Sequence, residues 1–184
     1  MAERRDVLRA KTAIGNAYYE LLYQKPKSKI TVKDILAECN YSHGTFYAHY
    51  RDIEDLNQQV EEEIYLATMQ SISKYTSGDF KDLSELIAMC VETFELHKKE
   101  LCAFRANHNE AAIIDKLRDL FRKALVESRI LENCRGEIMI STWATNFLVD
   151  ACLGWITDER PVEREQFIQL SSKFLYGGLN ALWE

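Results

Sequence analysis

The chain has 184 residues, 47% of them hydrophobic, with only 2 prolines and 7 glycines, which supports a real core and leaves room for long helices. A net charge of -6 argues against a protein that is basic throughout. The charge is uneven, however: residues 1–51 carry 9 Lys/Arg against 5 Asp/Glu, and residues 52–184 carry 14 against 24, which suits nucleic acid at one end only.

In chain order, Leu8, Lys11 (by its stem), Ile14, Tyr18 and Leu21 recur at helical spacing and predict a first helix from about Arg4 to Tyr23. Gln24 to Lys29 breaks it, because Pro26 cannot continue a helix and restricts Lys25. Thr31 with Asp34 three residues on is close to a capping box and opens a short helix, Val32 to Cys39. Asn40 tolerates a left-handed backbone, and Ser42 caps a helix from His43 to roughly Tyr50. Asp52 with Asp55 opens a long helix to about Tyr75, striped by Leu56, Val60, Ile64 and Ala67.

Thr76 to Asp79 is a turn. Asp82 with Glu85 starts a helix from Leu83 to Lys98, and a weaker break falls near Ala106 to Asn109. Asn109 with Glu110 starts another helix, ending near Leu131. Gly136 marks a boundary before a strongly apolar helix, Glu137 to Ile156. Thr157 to Pro161 is a loop, and a last helix runs from Glu163 to Leu182. Nothing alternates like a strand, so the expected fold class is all-α with eight or nine helices. Five cysteines, at 39, 90, 102, 134 and 152, form no CxxC pair. Their odd number, the lack of a signal peptide and the lack of a membrane-length apolar run predict a cytoplasmic protein with buried structural thiols and no membrane association.

The 26 residues from Thr31 to Leu56 carry the chemistry. Two short helices joined by a tight turn are a helix-turn-helix, which offers the start of its second helix to the major groove of double-stranded DNA. Ile35 and Phe46 are the expected core of that pair. His43, Gly44, Thr45, Tyr47 and His49 are then left on the outward face, where hydroxyls and imidazoles donate to phosphate.

The segment resembles the TetR family of transcriptional regulators, whose motif has the form T-v-x-x-I-a-x-x-a-G-V-S-x-G-T-x-Y-x-H-F-x-s-K-x-x-L. The match is carried without a gap by Thr31, Val32, Ile35, Leu36, Cys39, Asn40, Tyr41, Ser42, Gly44, Thr45, Phe46, Tyr47, His49, Tyr50, Ile53 and Leu56. It is sharpest over residues 8–60, and residues 143–183 also look like the C-terminal domain of some Firmicute-type members. The resemblance implies a three-helix DNA-binding head at 1–52 and a helical regulatory and dimerisation domain at 53–184. It also implies that Thr45, Tyr47 and His49 touch phosphates and that His43 and Gly44 sit nearest the bases. Ser42 and Thr31 would anchor helix starts against the backbone, with Lys33 as a phosphate neighbour. Two positions depart from the pattern: Asn40 replaces the turn glycine and Ile53 replaces a lysine, so Lys29, Lys33 and Arg51 are the cations left to compensate.

One helix-turn-helix reads too few base pairs to be selective, which predicts a homodimer on a pseudo-palindromic operator. The last two helices offer the apolar face: Trp143, Phe147, Ala151 and Trp155 on one, Phe167, Leu170, Ser171, Phe174 and Gly178 on the other. The same aromatics suit a core within one subunit equally well. By the same resemblance, the central helices would enclose a small apolar or aromatic effector against Met89, Cys90, Phe94, Cys102, Phe104, Leu120, Phe121 and Phe147, and its binding would release the DNA of a repressor.

No phosphate loop, nucleophile elbow or zinc-protease motif appears, so no enzyme and no cofactor are expected. Cys39, His43 and His49 lack a fourth ligand, so no metal is expected either. A helical adaptor that keeps the fold and binds a protein is the alternative reading.

Overall fold

The computed structural model describes residues 2–75, 83–107, 111–131, 136–158 and 162–180. Among these residues there are nine α-helices and no strand. The expected turn at Thr76 to Asp79, the helix starts at Asp82 and Asn109, residues Glu159 to Pro161 of the last loop, Cys134 and Leu182 lie outside the described residues. The chain divides into two compact units, residues 1–64 with 99–111, and residues 65–98 with 112–184.

In the first unit, α1 (Ala2–Gln24) buries Ala10, Ile14, Ala17, Tyr18 and Leu21. Leu8, expected on that stripe, is 64% exposed, so burial on α1 begins at Ala10. Pro26 then leads into a single 3-10 turn, Lys27–Lys29.

The short helix α2 (Val32–Cys39) starts on a full capping box. The Asp34 N–H donates to the Thr31 hydroxyl at 3.2 Å, and the Thr31 N–H donates to the Asp34 carboxylate at 2.9 Å. It stops at Asn40, whose left-handed φ of 55° aims its N–H at the Leu36 carbonyl, 2.9 Å away.

Ser42 caps α3 (His43–Tyr47) by accepting the Thr45 N–H at 3.1 Å. This helix ends three residues before Tyr50, because the chain tightens: the N–H groups of His49 and Tyr50 both bond to the Phe46 carbonyl. That frees Arg51 and Asp52 for the next cap. Asp52 accepts the Asp55 N–H at 2.8 Å, Asp55 accepts the Arg51 N–H at 2.8 Å, and α4 (Ile53–Tyr75) begins.

α1 packs on α2 and α2 on α3, with Ile35, Phe46 and Leu56 fully buried. A buried polar chain runs from the Tyr18 hydroxyl to Asn57 (3.2 Å) and from the Asn57 amide to Glu61 (2.9 Å), so these groups are paired where water cannot reach them. The compact unit extends past residue 52 because Leu56, Val60 and Ile64 are buried along α4.

The segment expected as one helix, Leu83 to Lys98, is α5 (Leu83–Leu96), followed by a turn at His97 and a separate α6 (Lys98–Ala106). Residues 99–106 join the first unit, where Phe104 meets Tyr19 edge-on at 6.4 Å. Asn107 fixes this arrangement. It accepts the Lys27 N–H at 2.6 Å and donates to the Leu22 carbonyl, holding both ends of the α1-to-α2 connection.

The second unit holds α5, α7 (Ala111–Glu127), α8 (Glu137–Thr157) and α9 (Arg164–Asn180), with α5 packed on α8 and α9. α7 stops short of Leu131. Arg129 takes a left-handed φ of 58°, and the Ser128 hydroxyl donates to the Leu125 carbonyl at 2.6 Å, closing the helix end. Gly136 precedes α8 at a φ of 87°, a backbone that L side chains rarely adopt. Arg118 of α7 pairs with Asp150 of α8, and Arg164 of α9 with Glu95 of α5 at 2.9 Å.

Phe46→Ala should cost about 3–5 kcal/mol, since it empties a fully buried aromatic site. Thr31→Ala should cost about 1 kcal/mol, the worth of one N-cap. Urea unfolding followed by circular dichroism gives both shifts, and an equal or reversed ranking would contradict the placement of Phe46 as the keystone of the head.

Candidate nucleic-acid interface

With Phe46 buried, the rest of α3 is disposed around it at about 100° per residue. His43, Gly44 and Tyr47 are exposed on one side, and Tyr47 shows 58% of its surface. The His43 and Tyr47 rings lie nearly parallel, with centroids 6.4 Å apart and planes 20° apart, and form one flat patch. Thr45 and His49 lie on the other side and are half-buried. The Thr45 hydroxyl is 3.0 Å from that of Ser42, so two predicted contact residues are paired with each other. Thr31 is exposed but committed to the α2 cap, and Lys33 is exposed on α2.

The cations divide into two groups. Lys25 pairs with Asp34 at 2.8 Å and Lys27 with Glu54 at 2.8 Å. Lys11 reaches Gln59 at 3.0 Å and lies 5.6 Å from the centre of the Tyr50 ring. Arg51 touches Asp55 at 3.4 Å, with its side chain largely in solvent. Lys29 and Lys33 are exposed beside α2 and Arg5 and Arg9 are exposed on α1, so the head's basic charge is only partly neutralised internally. Ile53 is the half-buried first residue of α4.

The Lys25 ammonium and then the Thr31 groups hold the Asp34 carboxyl down at about 2. The Arg51 N–H and then the Gln59 amide keep Asp55 below its usual range. Burial pushes the Tyr18 and Tyr50 hydroxyls up, so both stay neutral hydrogen-bonding groups. Among the described residues no group of three or more His, Cys, Asp or Glu could hold a metal ion, and Cys39 is half-buried in the head.

The remaining predicted residues separate. Of the effector set, Met89, Cys90, Phe94 and Phe121 are buried in the second unit, as is Leu120. Phe104 is buried and Cys102 half-buried in the first. Phe147, on α8 of the second unit, is stacked on Phe174 at 4.4 Å. The dimer set gathers on α8 and α9. Trp155 stacks on Phe167 at 4.9 Å and donates its indole N–H to the Val162 carbonyl at 2.7 Å. Ala151 is half-buried, Ser171 buried, and Leu170, Phe174 and Gly178 exposed.

An open groove of about 360 Å³ runs between these helices, lined by Ile140, Trp143, Ala144, Phe147, Phe174, Leu175 and Gly178. Sequence reasoning missed Ile140 as a buried lining residue of the groove and Asn107 as the clamp on the head. Asn107 carried no local signal, because its partners lie 80 and 85 residues away in the chain.

No protein-family model and no curated protein sequence matches the chain. Solved structures do. A TetR transcriptional regulator from Streptococcus agalactiae 2603V is 19% identical with a TM-score of 0.64, over 95% of this chain and 98% of that one. A structure from Syntrophomonas wolfei str. Goettingen, assigned to the TetR family of transcriptional regulators, is 18% identical with a TM-score of 0.68, over 91% and 93%. At these identities the likeness is one of fold. The chain has the fold of the TetR regulators along nearly its whole length, and among the described residues no helix is long and apolar enough to cross a membrane.

The lowered Asp34 acidity carries a pH signature. The ionised carboxylate favours the folded cap, so its contribution is complete above the ordinary value of 3.8 and fades as pH falls toward about 2. Asp34→Asn should therefore destabilise the head at neutral pH, with the gap to the unsubstituted protein closing between pH 4 and 2 in urea midpoints read against pH. A gap independent of pH would remove the carboxylate from the cap.

Proposed function

We propose that this protein is a TetR-type transcriptional regulator, a non-enzymatic repressor that binds a pseudo-palindromic operator as a homodimer in the cytoplasm. The observation that carries the reading is the outward face of α3. In a helix-turn-helix closed by Phe46, His43, Gly44 and Tyr47 stand exposed at the start of the second helix, where a major-groove reader needs them. Gly44 adds support. A Cβ there would meet only the Ser42 hydroxyl, at 3.6 Å, so the fold itself does not require glycine. A bare position on the outward face suits the close approach of a nucleic-acid backbone.

In this reading His43 and Gly44 sit nearest the bases, and Tyr47, Thr45 and His49 contact phosphates. Lys33 and Lys29 supply charge in place of the lysine absent at Ile53. Thr31 and Ser42 hold the helix starts against the backbone. Thr45 is turned toward Ser42 and exchanges that partner for phosphate on binding.

The homodimer is supported by the apolar face of α8 and α9, where Trp143 and Phe174 keep 59% and 64% of their surface exposed. A small apolar or aromatic effector completes the proposal, and it must bind the DNA-incompetent state more tightly than the competent one. The continuous helix α4 enters both units and is the proposed route of coupling.

Fluorescence anisotropy on fragments of the gene's own upstream region should show saturable, salt-sensitive binding. Thr45→Ala and Tyr47→Phe should each weaken it by roughly tenfold and leave the salt slope nearly unchanged, because a neutral hydroxyl releases no counterion. Sequence-blind binding there and in a genome-wide fragment selection would favour the protein-binding adaptor instead. Separately, Phe174→Asp should convert the dimer to monomer in sedimentation runs at micromolar concentration, and an unchanged dimer would move the interface off α8 and α9.

A further inference from the structure

Cys152 in the second unit has no part in the reading above, and Cys90 enters it only as one apolar residue of the effector set. Cys90 on α5 and Cys152 on α8 are 62 positions apart in sequence, yet their sulfurs lie 3.7 Å apart, with one thiol donating to the other. Both are free and fully buried. Their neighbours along the two helices, Met89, Val91, Val149 and Leu153, are buried and apolar. Filling a core requires small apolar groups, but it does not require two sulfurs in mutual contact. The half-buried cysteines Cys39 and Cys102 belong to the other unit.

We propose that Cys90 and Cys152 are an oxidisable dithiol, converted by a hydroperoxide into a disulfide that ties α5 to α8. The sulfurs need to close by about 1.7 Å to reach bonding distance, a movement that side-chain rotation and a small helix shift can share. In the first step one sulfur attacks the peroxide, an S–O bond forms, the O–O bond breaks, and an alcohol (or water, from hydrogen peroxide) leaves. In the second step the neighbouring sulfur attacks the resulting sulfenic acid, the S–S bond forms, the S–O bond breaks, and water leaves with the remaining thiol proton. Two electrons pass from the two thiols to one hydroperoxide.

Burial selects the oxidant. Desolvation pushes the Cys90 thiol well up, so little thiolate is present and the reaction is slow. A small neutral peroxide reaches such a core during local opening, whereas a bulky charged disulfide does not. Once the first sulfur is oxidised, its partner is already in contact, and that intercepts it before the irreversible sulfinic acid forms.

The test is peptide mapping of the full chain after hydrogen peroxide treatment without denaturant, acid quench and alkylation. The expected result is a Cys90–Cys152 linked peptide pair, lighter by two hydrogens, lost on dithiothreitol treatment. A reversible rise of several degrees in the melting midpoint should accompany it, because a long loop is closed. Cys152→Ala should abolish the link and leave Cys90 as a sulfenic acid that dimedone traps. The proposal is overturned if Cys39 and Cys102 are consumed while Cys90 and Cys152 remain alkylatable on unfolding. It is equally overturned if the linked pair forms only in urea. The wild-type map decides the matter even if a variant fails to fold.

Discussion

The burial of Phe46 is the constraint on which the candidate interface depends. A five-residue helix has almost no intrinsic stability, because nucleation costs more than its few hydrogen bonds return. Its orientation is therefore set by the one side chain that it buries fully, Phe46, whose ring lies 5.5 Å from that of Tyr50. Once that side chain is fixed, helical phase leaves little freedom. His43 and Tyr47 come together on one flank, Thr45 and His49 on the other, and Gly44 faces away.

The helix ends impose a second constraint, which shapes the electrostatics of the head. Asp34 and Asp55 each serve twice, as the returning side chain of a reciprocal cap and as the partner of a cation. Caps and ion pairs therefore draw on the same carboxylates, and Lys25 and Arg51 are held where those carboxylates stand. Lys29 and Lys33, outside both pairs, keep their exposed charge beside α2. The modest positive balance of the first 51 residues is thus less informative than its placement, because much of it serves the fold.

The head was legible in the sequence because its determinants are local. Thr31 with Asp34, Asn40, Ser42 and Asp52 with Asp55 each act within four residues, and the structure realises each of them. The separation of α5 from α6 was not legible. No proline or glycine marks His97, and the division appears only as a change in which unit buries the apolar residues. Phe94 belongs to one unit and Phe104 to the other, although both share the helical pattern on which the effector set was drawn. Asn107 was invisible for the same reason, since its role exists only once chain segments far apart have met.

The α8 and α9 aromatics show how far pattern reasoning reaches on a helix that is apolar on every side. α8 buries Ile140, Ala144, Leu148, Val149 and Cys152, while Ile138, Met139 and Trp143 stay exposed on the same helix. Periodicity cannot separate the two sets, because both are apolar. Packing separates them: the first set is consumed within the unit, and the second is left over with Leu170 and Phe174 of α9. Apolar surface left in water forgoes roughly 25 cal/mol for each Å² not buried. Trp143 and Phe174 line a groove in which the small residues Ala144 and Gly178 leave room for another helix to approach. A face of that composition suits burial against a second copy of itself. This is why the same residues that fail to define a core in one chain are the ones on which the proposed homodimer rests.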